Sequence, residues 1–87
     1  MKQLTKIFRS LGNDRRLEIL KILLSEKELS VIDISEKIKL SFRSTSKHLL
    51  KLENIGVLKR RETGRYTFYS VNEKILSRYL SPFKEMF

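Results

Sequence analysis

The sequence predicts a small, mainly α-helical domain of about five helices carrying a two-stranded β-hairpin. Three observations predict it. Apolar residues recur at intervals of three and four through successive segments. The period then changes to two β-prone runs, Val57 to Glu62 and Tyr66 to Val71, on either side of Thr63-Gly64-Arg65. The three glycines, Gly12, Gly56 and Gly64, stand where these segments end.

Each element follows in order. Leu4, Ile7, Phe8 and Leu11 mark one face of a first helix that ends at Gly12. Asn13 caps a second helix from about Asp14 to Ser25. Its Leu17, Ile19, Leu20, Ile22, Leu23 and Leu24 leave only Glu18, Lys21 and Ser25 as a polar stripe, so most of it is expected in the core. Ser30 with Asp33 resembles a capping box and starts a shorter third helix through Ile34 and Ile38. After a short turn, Ser41 caps a fourth helix that runs to about Asn54 and is closed by Gly56. The hairpin needs a helical layer to pack on. Asn72 then caps a last helix containing Ile75, Leu76, Tyr79, Leu80 and Phe83, interrupted or restarted at Ser81-Pro82. No repeat or Ser/Pro/Gly-rich linker divides the chain, so residues 1–87 read as one domain, with terminal helices at 1–12 and 73–87.

Composition restricts the function classes. Lys and Arg number 19 against 10 Asp and Glu, a net charge of +9, and such a field attracts polyanions, nucleic acid first among them. The excess is local: residues 39 to 65 hold eight cations against two carboxylates, whereas residues 14 to 38 are close to neutral. There is no cysteine, hence no disulfide framework and no thiolate metal site, and the one histidine, His48, cannot build a zinc site alone. No metal or other cofactor is expected. No nucleophile or carboxylate lies beside His48 in sequence, so no enzymatic activity is expected either. The charged N-terminal stretch is unlike a signal peptide and no apolar run is long enough to span a bilayer, which points to a cytoplasmic protein without a membrane partner.

The third and fourth helices with their short turn form a helix-turn-helix, whose second helix reads base edges from its N-terminal part. At about 100° per residue, Thr45, Leu49 and Leu52 face the core. Arg43, Ser44, Ser46 and Lys47 are the candidate base contacts, Arg and Lys suiting guanine O6 and N7 and the hydroxyls suiting bases or phosphates. Lys39, Ser41 and Lys51 are better placed for phosphates. Arg60, Arg61 and Arg65 flank the hairpin turn, within reach of a phosphate or the minor groove. His48 either contacts phosphate or holds the helix to a neighbour by a hydrogen bond. Phe42 lies within about 60° of the core face, so packing is expected of it rather than contact with a thymine methyl. Arg16 is expected in a structural cap or ion pair, and Tyr66, Phe68 and Tyr69 on the helices rather than in a single-strand stacking platform. Leu4, Ile7, Phe8, Leu11, Leu76, Tyr79, Leu80 and Phe83 give the terminal helices much apolar surface, which suggests a homodimer interface; the alternative is that the tail closes the monomer core.

Three segments carry a resemblance: Leu11-Gly12-Asn13-Asp14-Arg15-Arg16-Leu17-Glu18-Ile19-Leu20, then Leu40-Ser41 through Ser46-Lys47-His48-Leu49-Leu50-Lys51-Leu52, then Gly64-Arg65 with Tyr69. Over about Phe8 to Val71 the chain resembles the winged helix-turn-helix domain of the arsenical-repressor (ArsR) family of transcriptional regulators. The resemblance implies that Ser46, Lys47 and His48 belong to a DNA-contacting helix and Arg65 to a basic wing, and that the terminal helices pair two chains. Where many metal-sensing members carry Cys-x-Cys, this chain has Ser30 and Ile32, and residues 73 to 87 contain no His and only Glu73 and Glu85 as acidic ligands. The resulting expectation is a nucleoid-associated homodimer that binds double-stranded DNA at a palindromic operator, as a repressor, without metal sensing. A winged-helix protein-interaction or RNA-binding module is the alternative.

Overall fold

A computed structural model describes residues 2–81. Its elements are α1 (Lys2–Leu11), α2 (Asp14–Glu26), β1 (Glu28–Ser30), α3 (Val31–Ile38), α4 (Phe42–Asn54), β2 (Leu58–Glu62), β3 (Thr67–Val71) and α5 (Glu73–Ile75), which widens into a π-helical turn over Leu76–Leu80. All four expected caps close helix starts. Asn13 accepts from the amides of Arg15 and Arg16, Ser30 from Asp33, Ser41 from Ser44, and Asn72 from Lys74. At the far end of α4, Gly56 has φ +88°, with Val57 N–H donating to Leu52 C=O (2.9 Å) and Gly56 N–H to Glu53 C=O (3.0 Å), a Schellman closure that needs the left-handed residue.

The sheet corrects one expectation. Instead of a bare two-stranded hairpin it has three antiparallel strands in the order β1-β3-β2, so β3 is central, with Tyr69 opposite Leu29 on one side and Arg60 on the other. Glu28-Leu29-Ser30 is too short to show alternation; it becomes a strand because the free edge of β3 is beside it.

One core joins all the elements: Ile7 and Leu11 of α1, Ile19, Leu20 and Leu23 of α2, Ile34 and Ile38 of α3, Leu49 and Leu52 of α4, Tyr69 and Val71 of β3, and Leu76 and Leu80 beyond α5. The helical layer and the sheet close on each other, and the hairpin is held against α2 and α4. Thr45 is fully buried here, and among the described residues its Oγ1 has no hydrogen-bond partner. A buried hydroxyl that has lost water without gaining a partner destabilises. Thr45→Val keeps the shape and removes that oxygen, so it should raise unfolding stability by about 1 kcal/mol in a urea titration.

The terminal helices divide differently from the expected interface. Ile7, Leu11, Leu76 and Leu80 are each at most 5% exposed and belong to the chain's own core. Surface is left at Leu4 and Tyr79, which are half-buried, and at Phe8, which is 46% exposed. Phe83 lies outside the described residues. The alternative in which the tail closes the monomer core thus accounts for Leu76 and Leu80, while Ile7 and Leu11 of α1 enter the same core.

Candidate nucleic-acid interface

The turn between α3 and α4 sets the orientation of α4. Lys39 adopts the left-handed conformation (φ 56°), Leu40 N–H donates to Ser35 C=O (3.0 Å) and Lys39 N–H to Glu36 C=O (3.3 Å). This is the same closure that Gly56 makes, with a lysine where glycine would be unstrained. Arg15 fastens the turn to α2 by donating from its guanidinium to Ile38 C=O at 2.6 Å, while pairing with Glu18 at 3.4 Å. Nothing in the spacing announces that contact, which bridges 23 positions. Lys39→Gly should leave stability unchanged or raised by up to about 1 kcal/mol, because the strain goes, yet weaken duplex DNA binding through the lost cation. Thermal denaturation and fluorescence anisotropy read the two effects separately.

Along α4, Thr45, Leu49 and Leu52 are buried, and Arg43, Lys47, Leu50 and Lys51 are exposed. Ser44 and Ser46 are half-buried, and Ser41 is exposed as the cap. The helix therefore shows a cationic stripe over three turns, with its hydroxyls between the charges. Phe42 departs from the expected packing: it is 56% exposed, because the first turn of α4 projects past the edge of the core. Its ring lines a groove with Val31, Ile32, Tyr66 and Arg65.

His48 is tied to α2 by a hydrogen bond from Arg16 Nε to its Nδ1 at 3.3 Å, the hydrogen-bonding alternative left open above. The same guanidinium donates to the carbonyl (3.3 Å) and hydroxyl (3.1 Å) of Ser10 in the last turn of α1, so of the two expected roles Arg16 takes the cap and joins three helices. Desolvation, and then the Arg16 and Arg15 cations, hold the imidazole pKa below its ordinary value.

On the hairpin, two of the three expected DNA-contacting arginines have internal partners. Arg60 lies 3.5 Å from both Glu53 and Glu62. Glu53 also accepts from the Tyr69 hydroxyl (3.3 Å), so this cluster pins β2 and β3 to α4; burial, with the Glu53 charge second, pushes the phenol pKa up. Arg61 makes a two-pronged contact with Glu28 of β1 (2.7 and 3.1 Å) and stacks over Phe68, 4.7 Å from the ring centre. The Arg61 hydrogen bond draws the Glu28 carboxyl below its usual pKa. Arg65 stays exposed at the turn, which Thr63 and Tyr66 close by mutual hydrogen bonds. Of the aromatic trio only Tyr69 is buried. Tyr66 is 46% exposed and meets Phe68 at a tilted 6.3 Å on the outer side of the sheet.

At the positions where cysteines would stand, Ser30 caps α3 and Ile32 is exposed. Among the described residues no three His, Cys, Asp or Glu side chains gather as a metal site requires, and no helix is long and apolar enough to cross a membrane.

A helix-turn-helix with a cationic second helix, backed by a three-stranded sheet ending in a basic turn, defines a winged-helix nucleic-acid-binding class. The family model for winged helix-turn-helix DNA-binding proteins matches residues 13–59. The chain is 36% identical over 69 residues to the cadmium resistance transcriptional regulatory protein CadC homolog of Staphylococcus aureus, covering 79% of this chain and 57% of that protein. It thus spans less than two thirds of the length of that relative. The structure of HlyU from Vibrio cholerae superposes with a TM-score of 0.83 at 29% identity, covering 98% of this chain and 87% of that one. The homodimeric winged helix-turn-helix domain of Mb0332 from Mycobacterium bovis, described as a possible ArsR-family regulator, shares the fold with a TM-score of 0.83 at 24% identity, covering 98% and 78%. The chain belongs to the winged helix-turn-helix DNA-binding family, and the proteins it resembles include transcriptional regulators.

Proposed function

We propose that this chain is a homodimeric repressor that binds double-stranded DNA at a palindromic operator in the cytoplasm, on the nucleoid, without metal control. The observation that carries this reading is the exposed Arg43-Lys47-Lys51 stripe, on the side of α4 away from the buried Thr45-Leu49-Leu52 seam. Arg43, Ser44, Ser46 and Lys47 read base edges in the major groove, and Lys39, Ser41 and Lys51 hold phosphates. Arg65 supplies the wing contact. Arg60 and Arg61 contribute chiefly to the architecture of the wing, because their guanidiniums already meet Glu53, Glu62 and Glu28. The exposed Phe42 is suited to an apolar contact at the groove wall, such as a thymine methyl.

Pairing through α1 and the segment after α5 places Leu4, Phe8 and Tyr79 at the twofold axis, and a dimer so formed would set two α4 helices about one DNA turn apart. The homodimeric state of the Mb0332 domain supports the pairing of two chains. The chain carries no cysteine and a single histidine, which sits on α4, so its own side chains are a poor donor set for a zinc or copper switch.

Competition at physiological salt between a labelled mixed-sequence duplex, its separated strands and an RNA hairpin tests the reading. Preference for the duplex is expected; preference for RNA or single strands favours the RNA-binding alternative instead.

A further inference from the structure

His48 is the chain's single histidine and there is no cysteine, so no other side chain titrates ordinarily between about pH 5 and 8. It stands on α4 between Lys47 and Leu49, half-buried, with one ring nitrogen occupied. We propose that Arg16 is a positioning residue for DNA contact: its Nε–H donates to Nδ1 of His48, fixes the neutral imidazole with its proton on Nε2, and makes that N–H a donor for a DNA phosphate oxygen. The phosphate part rests on the duplex-binding function proposed above; the tautomer part does not.

A guanidinium has only donors, so the nitrogen it meets must present a lone pair, and the remaining proton of a neutral imidazole then sits on the other nitrogen. Protonating Nδ1 would set two donors against each other at 3.3 Å. Arg16 cannot easily swing away to allow it, because the carbonyl and hydroxyl of Ser10, which is 5% exposed, hold its other branch. The charges acting on the ring reinforce this. From α2 these are Arg16 and Arg15; α1 contributes only the uncharged Ser10, through Arg16; on α4 itself Lys47 precedes the ring and Lys51 lies about one turn further on. All four are cations, and the two arginines, after desolvation, hold the imidazole pKa down. His48 is therefore a fixed neutral donor on a helix that also carries the exposed cations Arg43, Lys47 and Lys51, and α1 is mechanically joined to it through a single side chain.

The test uses the full chain. With one histidine, a long-range proton–nitrogen NMR correlation gives a single imidazole pattern. Wild type should show the Nε2–H tautomer at pH 7 and a titration midpoint below the ordinary imidazole value, and Arg16→Ala should move the midpoint upward and mix the tautomers. In fluorescence anisotropy with a 30-base-pair mixed-sequence duplex at fixed salt, wild-type affinity should change by less than about twofold between about pH 7.5 and 5.5. Arg16→Ala should gain about fivefold or more over the same range, as an imidazolium forms beside phosphate. Arg16→Lys keeps a cation but loses the fork, and it should behave like Arg16→Ala in the tautomer spectrum. An Nδ1–H tautomer in wild type overturns the proposal, and that spectrum decides even if the variants fail to fold. An unmoved midpoint in Arg16→Ala, or a tenfold pH effect on wild-type affinity, overturns it equally. Absence of duplex binding at every pH overturns the phosphate assignment together with the proposed function, while the NMR result judges Arg16 separately.

Discussion

Raising monovalent salt from about 50 to 200 mM should weaken duplex binding by on the order of 10³-fold, because each phosphate contact releases condensed counterions. The exposed cations Lys39, Arg43, Lys47, Lys51 and Arg65 lie outside the ion pairs found among the described residues, whereas Arg60 and Arg61 lie inside them. With Lys39, Lys51 and Arg65 as the phosphate contacts and each adding about 0.9 to the slope of log K against log salt, two chains should give a slope of about −5. Free and ion-paired cations should respond differently to truncation. Lys51→Ala should lower the slope by about one per chain, and Arg61→Ala should leave it nearly unchanged. Anisotropy titrations over a salt series measure both; a slope shallower than about −3 would contradict the proposed footprint.

Leu80→Glu should abolish cooperative folding. Leu80 is fully buried in the core shared by α1, α2 and the C-terminal segment. The substitution forfeits about 2 kcal/mol of apolar burial and forces a carboxylate out of water, and together these cost about 4 kcal/mol or more. Small domains have a total stability near the lower end of the usual range of about 5–15 kcal/mol. Circular dichroism should therefore show no thermal transition from a folded baseline. Phe8→Glu provides the contrast: with Phe8 46% exposed, that variant should fold and sediment as a monomer. A folded, monomeric Leu80→Glu would mean that Leu80 belongs to the interface between chains and not to the core.

What the sequence made legible was local. Asn13, Ser30, Ser41 and Asn72 could be identified as caps because each accepts a hydrogen bond from an amide two or three residues away. The buried seam of α4 could be read because helical periodicity fixes direction about the axis. Periodicity does not say what lies in that direction, so Phe42, in line with the core, projects beyond it instead. Contacts between distant segments left no trace in spacing: Arg61 meets Glu28 across 33 positions and Arg16 meets His48 across 32. The same limit applies to β1, whose pairing depends on β3 some 40 residues later. It applies also to the terminal helices, where apolar periodicity alone cannot distinguish a chain's own core from the surface of a partner.

The central claim is that α4 reads sequence from its N-terminal half. The most direct measurement is the affinity of Lys47→Ala and Arg43→Ala for a duplex selected from a random library by the wild-type protein, set against their affinity for a scrambled duplex at the same salt. Each variant should lose about 1–3 kcal/mol on the selected site and markedly less on the scrambled one. Equal losses on both would reduce the two residues to phosphate contacts, and failure of the library to converge on any duplex would contradict sequence-specific binding altogether.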